Sequence, residues 1–194
     1  GTTATFNSND GMSYNSHAHV VHDWNQDGYP DLLTSAGSIS SATTKGYVFL
    51  GDPISGIQAS PAITLTGPAE LGPATGVAIG DYDQDGDEDV AFGFAHANSK
   101  HGGMGVYNAI STTINITPTS VITVNRAAHT LSYEYYGLTM SSGDFNDDGY
   151  DDLAVSSRNT HASTYDPGVY IYYGSSSGLT IENWQDSDLM LFTT

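Results

Sequence analysis

The 194-residue chain has no cysteine, and only four lysine and arginine residues stand against 22 aspartate and glutamate residues, a formal charge of −18. Without cysteine there is no thiol nucleophile, and the composition is consistent with a bacterial or archaeal surface protein. So few cations argue against binding to nucleic acid or insertion at an anionic membrane, since both partners need a basic face. No stretch approaches the ~20 apolar residues of a membrane helix. No segment shows a convincing helical pattern. No nucleophile elbow, phosphate loop or Ser–His–carboxylate grouping stands out, so an enzyme is not expected. There is no signal peptide, and the chain begins with Gly1 rather than Met, so it reads as processed or excised.

What the chain does have is a repeated acidic loop. Asp23-Trp24-Asn25-Gln26-Asp27-Gly28-Tyr29-Pro30-Asp31 is followed by Asp81-Tyr82-Asp83-Gln84-Asp85-Gly86-Asp87-Glu88-Asp89 and by Asp144-Phe145-Asn146-Asp147-Asp148-Gly149-Tyr150-Asp151-Asp152. The shared pattern is D-x-[DN]-x-D-G-x-x-D, and the copies start 58 and 63 residues apart. Oxygen-bearing side chains fall at positions 1, 3, 5 and 9, with a glycine at 6 for a sharp turn. A hard cation such as Ca²⁺ takes roughly six to eight oxygen ligands, so a loop that curls around it must supply oxygens at alternate positions. The loops are not EF-hands. Position 12, where an EF-hand places a bidentate Glu, holds Thr34, Phe92 and Val155.

Short apolar runs rich in β-branched residues flank each loop and favour strand over helix. His19-Val20-Val21, Val77-Ala78-Ile79 and Leu138-Thr139-Met140 precede the loops; Leu32-Leu33, Val90-Ala91-Phe92 and Leu153-Ala154-Val155 follow them. A Gly-led aromatic strand comes next, at Gly46–Gly51, Gly105–Tyr107 and Gly168–Gly174. A fourth apolar strand closes each unit, at Ile63–Leu65, Ile122–Val124 and Leu189–Phe192. Four strands per repeat at this period predict an all-β fold of propeller-type blades, each of four antiparallel strands.

With its three loops, their flanking strands and the run Tyr173-Gly174-Ser175-Ser176-Ser177-Gly178-Leu179, the chain resembles the FG-GAP repeats of integrin α-subunit β-propellers and of many bacterial surface proteins. The resemblance covers residues 17–192 and implies one Ca²⁺ in each loop, three in all. It implies side-chain ligands Asp23, Asn25, Asp27 and Asp31 in the first site and Asp81, Asp83, Asp85 and Asp89 in the second. The third would use Asp144, Asn146, Asp148 and Asp152. Tyr29, Asp87 and Tyr150 would each add a backbone carbonyl. More than half of the acidic residues lie in these loops, so three divalent ions would offset six of the eighteen negative charges. Without the ions the carboxylates repel, and binding should couple to folding. Loops of moderate affinity stay filled where calcium is millimolar, which points to an extracellular or cell-surface setting.

The resemblance also has a gap. Propellers close with about four to eight blades, and this sequence supplies three: 17–66, 74–124 and 132–194, within a single domain spanning 1–194. Unpaired edges and blade faces need a cover. The chain is therefore expected to be part of a longer protein, or to form a homo-oligomeric ring or a head-to-tail polymer. Residues 1–16 hold a spare strand, Thr2–Phe6, which could complete a blade of its own chain or of a neighbour. The leading expectation is a non-enzymatic, calcium-rigidified extracellular module, structural or adhesive, whose missing blades are supplied by other copies of the chain in a self-assembled oligomer or surface fibre. The alternatives are a carbohydrate- or protein-binding (lectin or adhesin) fragment and an accessory domain of a secreted enzyme.

Smaller signals complete the reading. Asn115-Ile116-Thr117 is a glycosylation sequon, and the turn Ser38–Thr44 could carry O-linked sugar. His17 and His19 share a strand face, and His22, His96, His101, His129 and His161 are scattered; they read as rim residues rather than a transition-metal site. Tyr133, Tyr135 and Tyr136 could stack on sugars but are expected to pack between blades.

Overall fold

The computed structural model describes residues 19–36, 45–66, 74–97, 101–108, 120–123, 135–158, 168–179, 181 and 187–192. The described strands are β1 (His19–His22), β2 (Asp31–Ala36), β3 (Lys45–Phe49), β4 (Gly51–Asp52), β5 (Gly56–Ile57), β6 (Ile63–Thr66) and β7 (Gly76–Gly80). They continue with β8 (Asp89–Gly93), β9 (Gly103–Tyr107), β10 (Ser120–Thr123), β11 (Met140–Gly143), β12 (Asp152–Ser157), β13 (Gly168–Tyr172) and β14 (Leu189–Phe192). Three four-stranded antiparallel sheets result, in the orders β1-β2-β3-β6, β7-β8-β9-β10 and β11-β12-β13-β14. These are the blades. In each, the nine-residue loop joins the first strand to the second, which pins the register. His22 pairs with Asp31, Gly80 with Asp89 and Gly143 with Asp152, the same offset three times.

Alternation along the strands gives each blade two apolar faces, as expected for a sheet covered on both sides. Leu33, Val48, Ile63 and Leu65 of the first blade meet Val90, Phe92 and Tyr107 of the second in one cluster. Ala78, Ala91, Met104 and Val106 of the second meet Leu153, Val155, Tyr170 and Tyr172 of the third in another. Each fully buried large side chain contributes about 1.5–3 kcal/mol of transfer free energy, so the core of this molecule lies between blades rather than inside any one. Phe92 and Tyr107 stand edge to face at 5.8 Å, and Tyr136 and Tyr170 at 5.4 Å. On the far side of the first blade Tyr47 and Phe49 form a small cluster with Leu32.

Two features differ from the sequence expectation. The first strand of the third blade runs Met140–Gly143 rather than over the apolar triplet Leu138–Met140. The loop sets its place: the strand must run directly into Asp144, as β1 and β7 run into Asp23 and Asp81. A small ribbon, β4–β5, extends the first blade beyond Phe49. Its turn is held by Asp52, whose Oδ1 accepts the N–H groups of Ile54 and Ser55, both at 2.8 Å. These bonds favour the carboxylate and draw the Asp52 pKa down. The terminal strand Thr2–Phe6, the sequon at Asn115, the turn at 38–44, His17 and Tyr133 lie outside the described residues.

Candidate metal centre

The three loops share one hydrogen-bond plan, built from side chain to backbone. The first Asp turns inward and accepts from two consecutive amides. Asp23 Oδ1 takes the N–H of Asp27 (3.0 Å) and Oδ2 that of Gly28 (2.8 Å). Asp81 does the same with Asp85 (3.0 Å) and Gly86 (3.0 Å), and Asp144 with Asp148 (3.1 Å) and Gly149 (2.9 Å). The third residue, Asn25, Asp83 or Asn146, accepts from the fifth amide. The fifth, Asp27, Asp85 or Asp148, accepts from the N–H of Tyr29, Asp87 or Tyr150. Positions 4 and 6 enter the left-handed region: Gln26, Gln84 and Asp147 at φ 54°, 59° and 63°, and Gly28, Gly86 and Gly149 at 89°, 93° and 95°. Near φ +90° a β-carbon is strained, which accounts for the glycine.

The result is a curled loop whose acceptor side chains gather over its own amides. In the second loop Asp81, Asp83 and Asp85 each offer an oxygen within 4.8 Å of the others. Among the described residues, no basic side chain forms an ion pair with them. Burial is the first cause that raises the Asp83 pKa, and the neighbouring charges of Asp85 and Asp81 add to it. In loops one and three Asn replaces Asp at position 3, and its amide N–H donates to Asp27 (2.9 Å) or Asp148 (2.8 Å). Hard oxygen donors crowded without a counter-charge fit a divalent cation such as Ca²⁺.

Position 9 has another task. Asp31, Asp89 and Asp152 are fully buried. Asp31 accepts the N–H of Trp24 (2.8 Å) and of Gly51 (2.6 Å); Asp152 accepts those of Phe145 (2.8 Å) and Gly174 (2.9 Å). Asp89 accepts from Tyr82 N–H at 3.2 Å. Asp31 and Asp152 thus each tie the start of their loop to the chain just past the third strand of the blade, and a carboxylate oxygen that accepts one N–H has a further lone pair for an ion.

Positions 2, 4 and 8, which the sequence reading passed over, make contacts with the neighbouring blade. Tyr82, at position 2, is buried against the third blade, and its hydroxyl hydrogen-bonds with that of Ser142 at 2.7 Å. Burial raises its pKa far above the ordinary phenol value. At position 4, Gln26 donates to the Gly86 carbonyl (3.4 Å) and Gln84 to the Gly149 carbonyl (2.7 Å). At position 8, Asp151 Oδ2 accepts the Asp81 N–H (3.1 Å) while its own N–H donates to the Asp81 carbonyl (3.2 Å). Glu88 meets His22 of the first blade at 2.9 Å. The signal was present: an aromatic stands at position 2 in every copy and Gln at position 4 in two.

Of the other singled-out residues, Tyr136 is buried at the second junction, its hydroxyl bonded to that of Tyr172 and to Met104 Sδ (3.4 Å). Tyr135 is half-buried beside His96, with the Arg158 guanidinium 5.8 Å from its ring centre.

The FG-GAP-like repeat family matches residues 23–92, and the FG-GAP repeat family matches residues 136–172. Together the two matches cover more than half of the chain and include all three loops. Integrin alpha-5 of Xenopus laevis is 28% identical over 178 residues, which is 85% of this chain and 17% of that protein. The chain thus spans a small part of its relative's length. Three acidic loops between the first two strands of three stacked four-stranded sheets, together with these matches, place the chain among the FG-GAP repeat proteins.

Proposed function

We propose that this chain is a non-enzymatic, calcium-rigidified adhesive or structural module of the extracellular space, whose stack of blades is extended by further repeats. The carrying observation is the loop plan itself: the same carboxylate–amide bonds recur three times and gather acceptor oxygens over each loop's own amides. Asp23, Asn25, Asp27 and Asp31 would hold the first ion, with Tyr29 adding its carbonyl. The second and third loops offer the matching sets Asp81, Asp83, Asp85, Asp87, Asp89 and Asp144, Asn146, Asp148, Tyr150, Asp152. A bound ion supplies the positive charge that the crowded carboxylates lack and locks the loop between its two strands. Millimolar extracellular calcium suits such sites.

Calorimetric titration tests the reading. Three calcium ions should bind, with a rise in melting temperature. Asp85→Ala should lose one ion and much of that rise while changing the calcium-free protein little. Three undiminished sites in the variant would remove Asp85 from the ligand set, and no binding to the parent protein would end the calcium reading.

A further inference from the structure

We propose that Asp151 and Gln84 are positioning residues that couple the second and third ion sites, so that calcium binds cooperatively across the second junction and independently at the first site. The proposal rests on the calcium reading above and goes beyond it by stating which sites are linked, through which residues and with what sign.

Two ties join the second loop to the third, and each ends on peptide units that serve both loops. The unit between Tyr150 and Asp151 carries the carbonyl assigned to the third ion, and its N–H donates to the Asp81 carbonyl at 3.2 Å. The unit that carries the Asp81 carbonyl has the Tyr82 N–H at its other end, which donates to Asp89 of the second site (3.2 Å). Asp151 Oδ2 also accepts the N–H of Asp81, the first residue of the second site (3.1 Å). The other tie runs the opposite way. Gln84 donates to the Gly149 carbonyl (2.7 Å), and the N–H of that same unit, Tyr150 N–H, donates to Asp148 of the third site (3.0 Å). A peptide unit is planar, so holding one end orients the other. Hydrogen bonds in series also polarise one another. A third loop fixed in its binding shape therefore orients Asp81 and Asp89 in the second, and by linkage the second helps the third equally.

The first junction is built differently, for a steric reason. Asp151 reaches the Asp81 N–H because Gly80 has no side chain: a β-carbon there would lie 2.8 Å from the same carboxylate oxygen. Register puts His22 at the equivalent place, opposite Asp31 as Gly80 is opposite Asp89. Glu88, at the loop position of Asp151, meets the His22 imidazole at 2.9 Å. Among the described residues no backbone bond joins Glu88 to Asp23. Gln26 is also farther from its glycine carbonyl, 3.4 Å against 2.7 Å for Gln84.

The sign of the coupling separates these ties from plain electrostatics. Two dications repel, so a filled third site acting through its field alone weakens the second. Acting through the ties, it tightens the second.

A calcium titration followed by nuclear magnetic resonance at the amides of Gly28, Gly86 and Gly149 reads each site by itself. Each of these N–H groups bonds the first Asp of its own loop. Asp148→Ala, which empties the third site, should weaken calcium binding at Gly86 roughly fivefold or more. Asp27→Ala, which empties the first, should leave the Gly86 midpoint near that of the parent. Asp151→Pro removes both bonds to Asp81 at a loop position where the first loop already carries Pro30. In that background Asp148→Ala should no longer weaken Gly86. Gln84 is exposed, and Gln84→Ala should reduce the coupling in part; strand amide signals report folding in every sample. A Gly86 midpoint that Asp148→Ala leaves unchanged or tightens would overturn the coupling and leave the calcium sites standing. Equal weakening by Asp27→Ala and Asp148→Ala, or weakening that persists in folded Asp151→Pro and Gln84→Ala backgrounds, would overturn the role of these two residues. No calcium-induced shift at any of the three glycines would overturn the calcium reading and the coupling with it.

Discussion

The junction between the first and second blades and that between the second and third use the same loop positions but are tied unequally. Among the described residues the first has an apolar cluster and polar ties that include Ser35 Oγ to the Ala74 carbonyl (3.2 Å), the Tyr107 hydroxyl to the Thr66 carbonyl (2.9 Å), the His22–Glu88 contact and a long bond from Gln26. The second adds the reciprocal Asp81–Asp151 pair, Tyr82 to Ser142, Ser175 to Tyr82, a short bond from Gln84, and Thr75 Oγ1 to the Gly137 carbonyl (3.0 Å). Apolar faces alone suffice to stack blades, since the hydrophobic term is non-directional. Hydrogen bonds decide how firmly and in what register. In a stack where each repeat touches only its neighbours, the first blade should open before the other two.

The largest effect should come from glycines at the two junctions. A β-carbon on Gly93 would lie 2.0 Å from the Gly137 carbonyl oxygen of the third blade, and backbone cannot move aside cheaply. Gly93→Ala should cost about 3 kcal/mol and separate the second blade from the third. A β-carbon on Gly46 would meet the tip of the Phe92 ring at 2.5 Å, and a side chain can shift. Gly46→Ala should cost about 1–2 kcal/mol and act on the first junction alone. Denaturant unfolding followed at Trp24, near the first junction, and by far-ultraviolet circular dichroism would separate the two. Equal costs would mean the junctions are equally rigid.

Single hydrogen bonds give a finer probe. Tyr82→Phe removes the bond to Ser142, and Ser35→Ala removes the bond to Ala74. Each should cost about 1 kcal/mol, but in different places. Tyr82→Phe should shift the main unfolding transition, and Ser35→Ala should shift only an earlier one, when the first blade opens. Native-state hydrogen exchange reads this by blade. A common shift of all three blades in both variants would make the stack a single cooperative unit.

Much of the fold was legible because a repeat testifies to itself. The alternation D-x-[DN]-x-D marks a loop that gathers oxygens over its own amides, and its fixed place between two strands sets blade register. Two things were less visible. Reading only the odd positions picked out the acceptor side chains that the loops gather and overlooked position 2, where Tyr82 docks, and position 8, where Asp151 clasps the neighbour. Those residues act across a junction about 60–70 positions away in sequence, and local pattern holds no trace of such a distance. Apolar content also misplaced β11, whose strand is largely Ser and Gly. Its register comes from the loop and from pairing with β12, and propensity yields to that context.

The smallest expected effect lies where all three loops meet. Glu88 of the second blade contacts His22 of the first and sits in the field of Asp81 and of Asp151 of the third. Burial raises its carboxyl above the ordinary value of 4.5; His22 opposes this, and the two aspartates add to it. A folded-state pKa raised in this way contributes stability that is fully present below the ordinary value. That contribution is lost as pH climbs through the higher folded value. The calcium-free protein should therefore gain stability as pH falls from neutrality toward the ordinary glutamate range, until the other carboxylates protonate. Glu88→Gln should flatten that gain, because an amide has no proton to take up. Melting curves in chelator across this range would show it, and parallel curves for parent and variant would assign the pH dependence to another group. A second variant, Asp151→Asn, sharpens the comparison: it removes one neighbouring charge and should lower the Glu88 transition slightly while weakening the clasp on Asp81. If the first junction responds to pH and the second does not, the weaker of the two ties is also the one that acid can strengthen.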